Sequence, residues 1–179
     1  MSSYITTSSK IHFTPVSPDP EQIVIRDIAH ALSLMTRANG HFPEFYSVGQ
    51  HCIHCYEEAV ARKYSPFLCK ACLLHDASEA YLADITRPVK QFLPGYLEIE
   101  KRLQDTIYEK FWGVFRQRRN RPQFLLWTTH FYIMNLIITW EKSYRKSRQS
   151  YIQRPFSSKK RFRRLKRSTY FFHKVDKFL

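Results

Sequence analysis

No run of alternating polar and apolar residues appears before residue 113, which argues against a β-sandwich or barrel in that part of the chain. No positively charged segment followed by an apolar stretch opens the sequence, because MSSYITTSSKIHF is polar and interrupted. The expectation is a protein without a secretory signal, in the reducing cytoplasm. There is no internal repeat of fixed period. A disulfide framework is also missing: Cys52, Cys55, Cys69 and Cys72 crowd one central span instead of being spread to staple a small secreted domain. Acidic side chains are scarce beyond residue 112. Residues 113–179 carry 18 Lys and Arg against 2 Asp and Glu, with no Asp between Asp105 and Asp176, whereas residues 1–112 carry 11 against 13. The formal net charge of +14 therefore belongs to the tail and says nothing about what precedes it.

A chain of 179 residues buries one respectable core and is short for two, so one domain with an appendage is expected. Residues 1–20, with Pro15, Pro18 and Pro20 among Ser and Thr, read as an extended lead-in. Ile25, Ile28, Ala29, Leu32 and Met35 fall at three- and four-residue steps and predict a first helix, stopped by Asn39-Gly40. Ser47 with Gln50 three residues later is a capping-box pattern and predicts a second helix reaching about Tyr64. Ser65-Pro66 starts a third, running into the 70s. Pro88 and Pro94 limit the next stretch to a turn or brief helix. Tyr96, Ile99, Leu103, Ile107 and Phe111 predict a long helix over about 95–112, with Gly113 as its stop. The class is all-α: a helical domain over residues 21–112, followed by a basic region over residues 113–179.

The chemistry concentrates in LLHDASEAYLADI at 73–85, where His75 and Asp76 follow an apolar helical run. Imidazole and carboxylate converging on one point suit Mn, Fe, Co or Zn. His51 in the second helix is the candidate third ligand, brought beside His75 if the two helices fold back on each other. His30, His41 and His54 read instead as hydrogen-bonded core histidines. A rival signal is Cys52-x2-Cys55 with Cys69-x2-Cys72, a spacing that suits a structural zinc. Both pairs lie inside helical patterns without the Gly or Pro of a zinc knuckle, so packing as small apolar residues ranks first.

Taken together, DIAHALS at 27–33, Arg37 with Asn39-Gly40-His41, FYSVGQH at 45–51, LLHDASEAYLADI at 73–85, RPVK at 87–90 and LPGYLEIEKRLQDTI at 93–107 resemble the HD-domain metal-dependent phosphohydrolases. Within that superfamily they are similar to the bacterial 5′-deoxynucleotidase group and its phage-borne relatives. The resemblance covers roughly half the chain. It implies a compact HD-like helical bundle and one divalent ion (Mn, Co, Fe, Zn or Mg) held by His51, His75 and Asp76. It also implies that Glu79 positions or deprotonates the attacking water, that Asp84 assists the proton transfers, and that Arg37 holds the substrate phosphate. The implied reaction is hydrolysis of a phosphomonoester, a (deoxy)nucleoside 5′-monophosphate above all, by metal-activated water. The chain departs from the family where a fourth ligand, an Asp shortly before a Glu, is expected: Glu141 is recognisable, but Met134 and Asn135 stand in the Asp position. That departure weakens the metal site.

Two readings cover residues 113–179: a divergent appended tail, or the product of a shifted reading frame. Gln123 to Trp140 is an uncharged stretch at the lower edge of membrane-spanning length, but His130, Asn135 and three threonines favour a buried helix over about 122–145. SSKKRFRRLKR at 157–167 reads as a disordered, solvated end able to contact nucleic acid or anionic membrane without sequence preference. The partners expected are a nucleotide-like phosphate ester, nucleic acid at the tail and a second copy of the chain in a homodimer. The alternative function is a non-enzymatic module, a degenerate HD domain or a four-cysteine zinc unit, binding nucleic acid through that tail.

Overall fold

The computed structural model describes residues 3–42 and 45–112. The expectations for residues 113–179, among them the apolar helix, Asn135, Glu141 and the cationic run, lie outside the described residues. What is described is mostly helical, in line with the all-α expectation.

Helix α1 (Ile25–Leu34) buries Ile28, Ala29 and Leu32, and its partly buried Ile25 and Met35 pack on the same core, as the periodicity predicts. It ends at Leu34, earlier than Asn39-Gly40, because Met35 and Thr36 already take extended backbone (ψ 130° and 131°); the positive φ of Ala38, Asn39 and Gly40 then makes a tight turn over Arg37–Gly40. Helix α2 (Val48–Ala61) opens with the expected capping box: the Gln50 N–H donates to Ser47 Oγ, and the Ser47 N–H donates to Gln50 Oε1. It stops short of Tyr64, where Lys63 turns left-handed at φ 58°. Helix α3 (Pro66–Leu73) starts at Pro66 with Ser65 Oγ accepting from the Leu68 N–H. Two one-turn helices follow, α4 (Glu79–Leu82) and α5 (Arg87–Lys90). The long α6 (Pro94–Trp112) then sends fully buried Leu103 and Ile107 into the core.

Helix α2 is central, packing against α1 on one side and α3 on the other, while α1 also touches α4. A side chain at Gly49 would bring its Cβ within 3.3 Å of the Leu32 backbone, so a residue without one lets α2 lie close on α1 at the level of the site.

The lead-in does more than extend. Ile5–Thr6 (β1) and His12–Phe13 (β2) form a small antiparallel ribbon, too short to show as alternation in the sequence. It is tied to α1 where the Ser9 N–H donates to Asp27 Oδ1 at 2.7 Å. Phe13 is fully buried, with its ring 4.2 Å from that of Tyr81 on α4. Phe13 thus fills core space beneath the segment that follows α3. Phe13→Ala should cost about 3–5 kcal/mol of stability, a large share of what a domain this size has. Urea denaturation checks it, and a loss under 1 kcal/mol would show that the ribbon is not part of the core.

Candidate metal centre

The turn at 62–65 folds α3 back along α2, so the first turn of α2 lies beside the end of α3. His51 stands in that first turn, and His75 and Asp76 come just after α3 ends at Leu73. Their ligand atoms meet. His51 Nε2 and His75 Nε2 are 3.2 Å apart, His75 Nε2 lies 3.1 Å from Asp76 Oδ2, and His51 Nε2 lies 3.6 Å from that same oxygen.

The tautomer of His75 follows from its other nitrogen. Nδ1 is 2.7 Å from the carbonyl oxygen of Cys72, which can only accept, so Nδ1 carries the proton and donates. In the neutral ring the Nε2 lone pair then faces His51 and Asp76, the arrangement of a ligating histidine held by a backbone carbonyl. Burial, together with the Arg37 and His75 charges, keeps His51 neutral by pushing its pKa well below the usual histidine range. Burial works against ionisation of Asp76, but His75 and Arg37 outweigh it and hold this carboxyl well below the usual carboxylate range. Two imidazoles, whose Nε2 lone pairs are free to bind once any proton there is displaced, and one carboxylate make a fitting donor set for a divalent cation. Bonds of about 2.0–2.2 Å place neighbouring donors roughly 2.9–3.5 Å apart, close to the separations found here.

Arg37 is brought in by the turn before α2. Its N–H donates to the Tyr46 carbonyl and the Val48 N–H donates to the Met35 carbonyl, closing the 36–47 loop over the start of α2. Its Nη1 lies 3.0 Å from Asp76 Oδ2, 3.3 Å from Asp84 Oδ2 and 3.6 Å from Glu79 Oε2. Burial disfavours the guanidinium charge, yet these three carboxylates secure it and raise its pKa further. Glu79 is buried beside Asp76 and Asp84, and its Oε2 has no hydrogen-bond partner. Burial first, then those two carboxylates, push it up to about 10, against the opposing pull of Arg37 and Lys90.

All six residues singled out in the sequence therefore share one neighbourhood. Asp84 is aimed there by a strained backbone: Ala83 takes φ 86° and ψ 155°, a region open mainly to glycine. Two contacts hold that residue, its N–H donating to the Glu79 carbonyl and its own carbonyl accepting from the Tyr96 hydroxyl.

The sequence reading missed three contributors. Gln104 on α6 accepts from the Ser78 N–H and donates to the Leu74 carbonyl, clamping the His75-Asp76 turn from both sides. Lys90 sits 3.8 Å from Glu79 Oε1 and pairs with Glu100. Cys52 and Cys55, read as core, do pack in the core and also stand beside the donors: one group of candidate ligand atoms is His51, Cys55 and His75, another Cys52, His75 and Asp76. Among the described residues no such group unites the two cysteine pairs. Cys69 turns to the Tyr64 carbonyl instead. Of the three histidines read as hydrogen-bonded core residues, partly buried His54 bonds the Tyr46 hydroxyl at 2.9 Å. His30 and His41 are exposed, one facing out from α1 and the other just past the 3-10 turn.

Two consequences can be measured. The folded chain holds on Glu79 a proton that the unfolded chain releases near 4.5, so this group's contribution to stability is full below about 4.5 and is lost as pH rises toward about 10. Glu79→Gln should flatten that decline in urea titrations of chelator-treated protein across this window; an unchanged slope would contradict it. Ala83→Gly relieves strain of roughly 1–3 kcal/mol at an entropic cost of about 0.5–1, so it should raise stability by about 1 kcal/mol. A fall in melting temperature would mean that Ala83 is not strained.

No protein-family model matches the chain. It is 39% identical over 109 residues to the uncharacterized protein YfdR of Escherichia coli, a match covering 61% of this chain and 58% of that protein. It is 38% identical over 103 residues to the uncharacterized protein RCAP_rcc00048 of Rhodobacter capsulatus, covering 54% of this chain and 52% of that protein. The chain thus spans a little over half the length of these curated relatives. Among the described residues no helix is long and apolar enough to cross a membrane.

Proposed function

We propose that the chain is a metal-dependent phosphohydrolase of the HD-domain superfamily, cleaving a phosphomonoester of the (deoxy)nucleoside 5′-monophosphate class. The observation that carries this reading is the mutual approach of His51 Nε2, His75 Nε2 and Asp76 Oδ2 within 3.1–3.6 Å, with a guanidinium 3.0 Å from the carboxylate. A divalent ion, when bound there, supplies hydroxide near neutral pH, neutralises phosphate charge and lowers the affinity of Glu79 for its proton.

The chain's own residues account for the remaining steps. Arg37 offers a planar fork matching two phosphate oxygens. Its present partners, Asp76, Glu79 and Asp84, hold the guanidinium beside the donor cluster, so a phosphate reaching that cluster would meet an oriented cation. Once ionised, Glu79 is placed to take a proton from water beside Asp76, and its burial makes it a stronger base than a solvated carboxylate. Asp84 accepts from the Ala38 N–H and so fixes the turn that carries Arg37. Proton passage to the leaving oxygen is assigned to Glu79 with Asp84.

The test is phosphate release from deoxynucleoside monophosphates with Mn, Co or Mg added. His75→Ala and Asp76→Ala should each lower kcat/KM by several kcal/mol, roughly a thousandfold, while Cys69→Ser leaves it near the wild-type value. Release that is absent in the wild type, or unchanged in both site variants, would end the hydrolase reading.

A further inference from the structure

Three donors from His51, His75 and Asp76 leave a divalent cation short of a full coordination shell, and two sulfur atoms among the described residues each stand near part of that set, Cys55 near His51 and His75 and Cys52 near His75 and Asp76. Helix geometry puts them there. Cys55 follows His51 by four residues and so lies on the same face of α2 one turn later, while Cys52 is its immediate neighbour. Cys55 Sγ is 3.7 Å from His51 Nε2 and 3.9 Å from its Nδ1. A sulfur sharing a zinc ion with Nε2 at tetrahedral angles would stand about 3.5 Å from Nε2 and roughly 5 Å from Nδ1; the near-equal distances place Cys55 Sγ against the His51 ring instead, which leaves Cys52, grouped with His75 and Asp76, as the sulfur facing the donors.

Resting on the metal-site reading above, we propose that this is a mixed nitrogen, oxygen and sulfur centre, in which the Cys52 thiolate joins His75 and Asp76 as a donor. The ion it takes is then of the thiophilic class, zinc or cobalt, in preference to magnesium. Coordination replaces the S–H bond by a sulfur–cation bond and releases the thiol proton to solvent. Both cysteines are fully buried, whereas Asp76 is 16% exposed, so sulfur closes the inner side of the centre and water reaches it past Asp76. Cys69 and Cys72 on α3 belong to no such group among the described residues and serve as controls.

The experiment loads the full chain with cobalt(II) and records its absorption spectrum. A thiolate-to-cobalt charge-transfer band in the near ultraviolet is expected in the wild type, lost in Cys52→Ser/Cys55→Ser and kept in Cys69→Ser/Cys72→Ser. Cys52→Ser alone should lose the band, and a band lost in Cys55→Ser but kept in Cys52→Ser overturns the Cys52 donor. Should the first double variant not fold, by circular dichroism, cadmium-113 resonance of the wild type decides, since a sulfur donor moves the signal far downfield of nitrogen and oxygen sites. Cobalt bound in a His75-dependent way without a thiolate band, or a band surviving removal of both cysteines, overturns the sulfur donor and leaves the metal site standing. Absence of any bound cobalt overturns both.

Discussion

Two helices joined by a four-residue turn decide where the chemistry of this protein can lie. Because α3 folds back along α2, a histidine in the first turn of one arrives beside a histidine just past the end of the other, with Nε2 atoms 3.2 Å apart. The neighbouring elements hold that meeting in place. The loop between α1 and α2 is sealed by backbone hydrogen bonds and delivers Arg37. Gln104 of α6 grips the turn carrying His75 and Asp76. Phe13 fills the space under α4, against Tyr81.

The electrostatics follow from this packing. Three carboxyl groups and one guanidinium are largely buried together, and removing charges from water is costly unless each finds a partner. The cluster responds in two ways. Asp76 stays ionised because His75 and Arg37 face it, while Glu79 retains its proton because burial and two carboxylates oppose a further negative charge. Its buried Oε2 accepts no hydrogen bond, Arg37 Nη1 standing 3.6 Å away. A cation between the imidazoles and Asp76 would relieve this shortage of positive charge, which is why the donor set and the protonation pattern support the same reading.

Much of the helical framework was legible because it is written in local rules. Ser47 with Gln50, Ser65 with Pro66, and the spacing of Leu103 and Ile107 each act within a few residues of chain, and the structure obeys them. Helix ends were less legible. The early stop of α1 comes from Met35 and Thr36 turning extended, while Ala38, Asn39 and the strained Ala83 take positive backbone angles in residues with side chains, which local preference disfavours and only surrounding contacts can enforce. The ribbon that buries Phe13 gave no periodic signal, since two-residue strands are too short to alternate.

For the candidate site, the sequence by itself determined which groups could carry chemistry: an adjacent His75-Asp76 pair, a histidine one helix earlier, and Glu79, Asp84 and Arg37 nearby. It could not decide between two roles for the cysteines, because a thiol inside an apolar helical face reads the same whether it packs against carbon or stands beside a ligand. Tertiary structure alone separated them, turning Cys69 toward a backbone carbonyl and setting Cys52 and Cys55 beside the imidazoles. The physical reason is that donor proximity across helices depends on how α2 and α3 pack, a property of the folded pair that neither segment encodes alone.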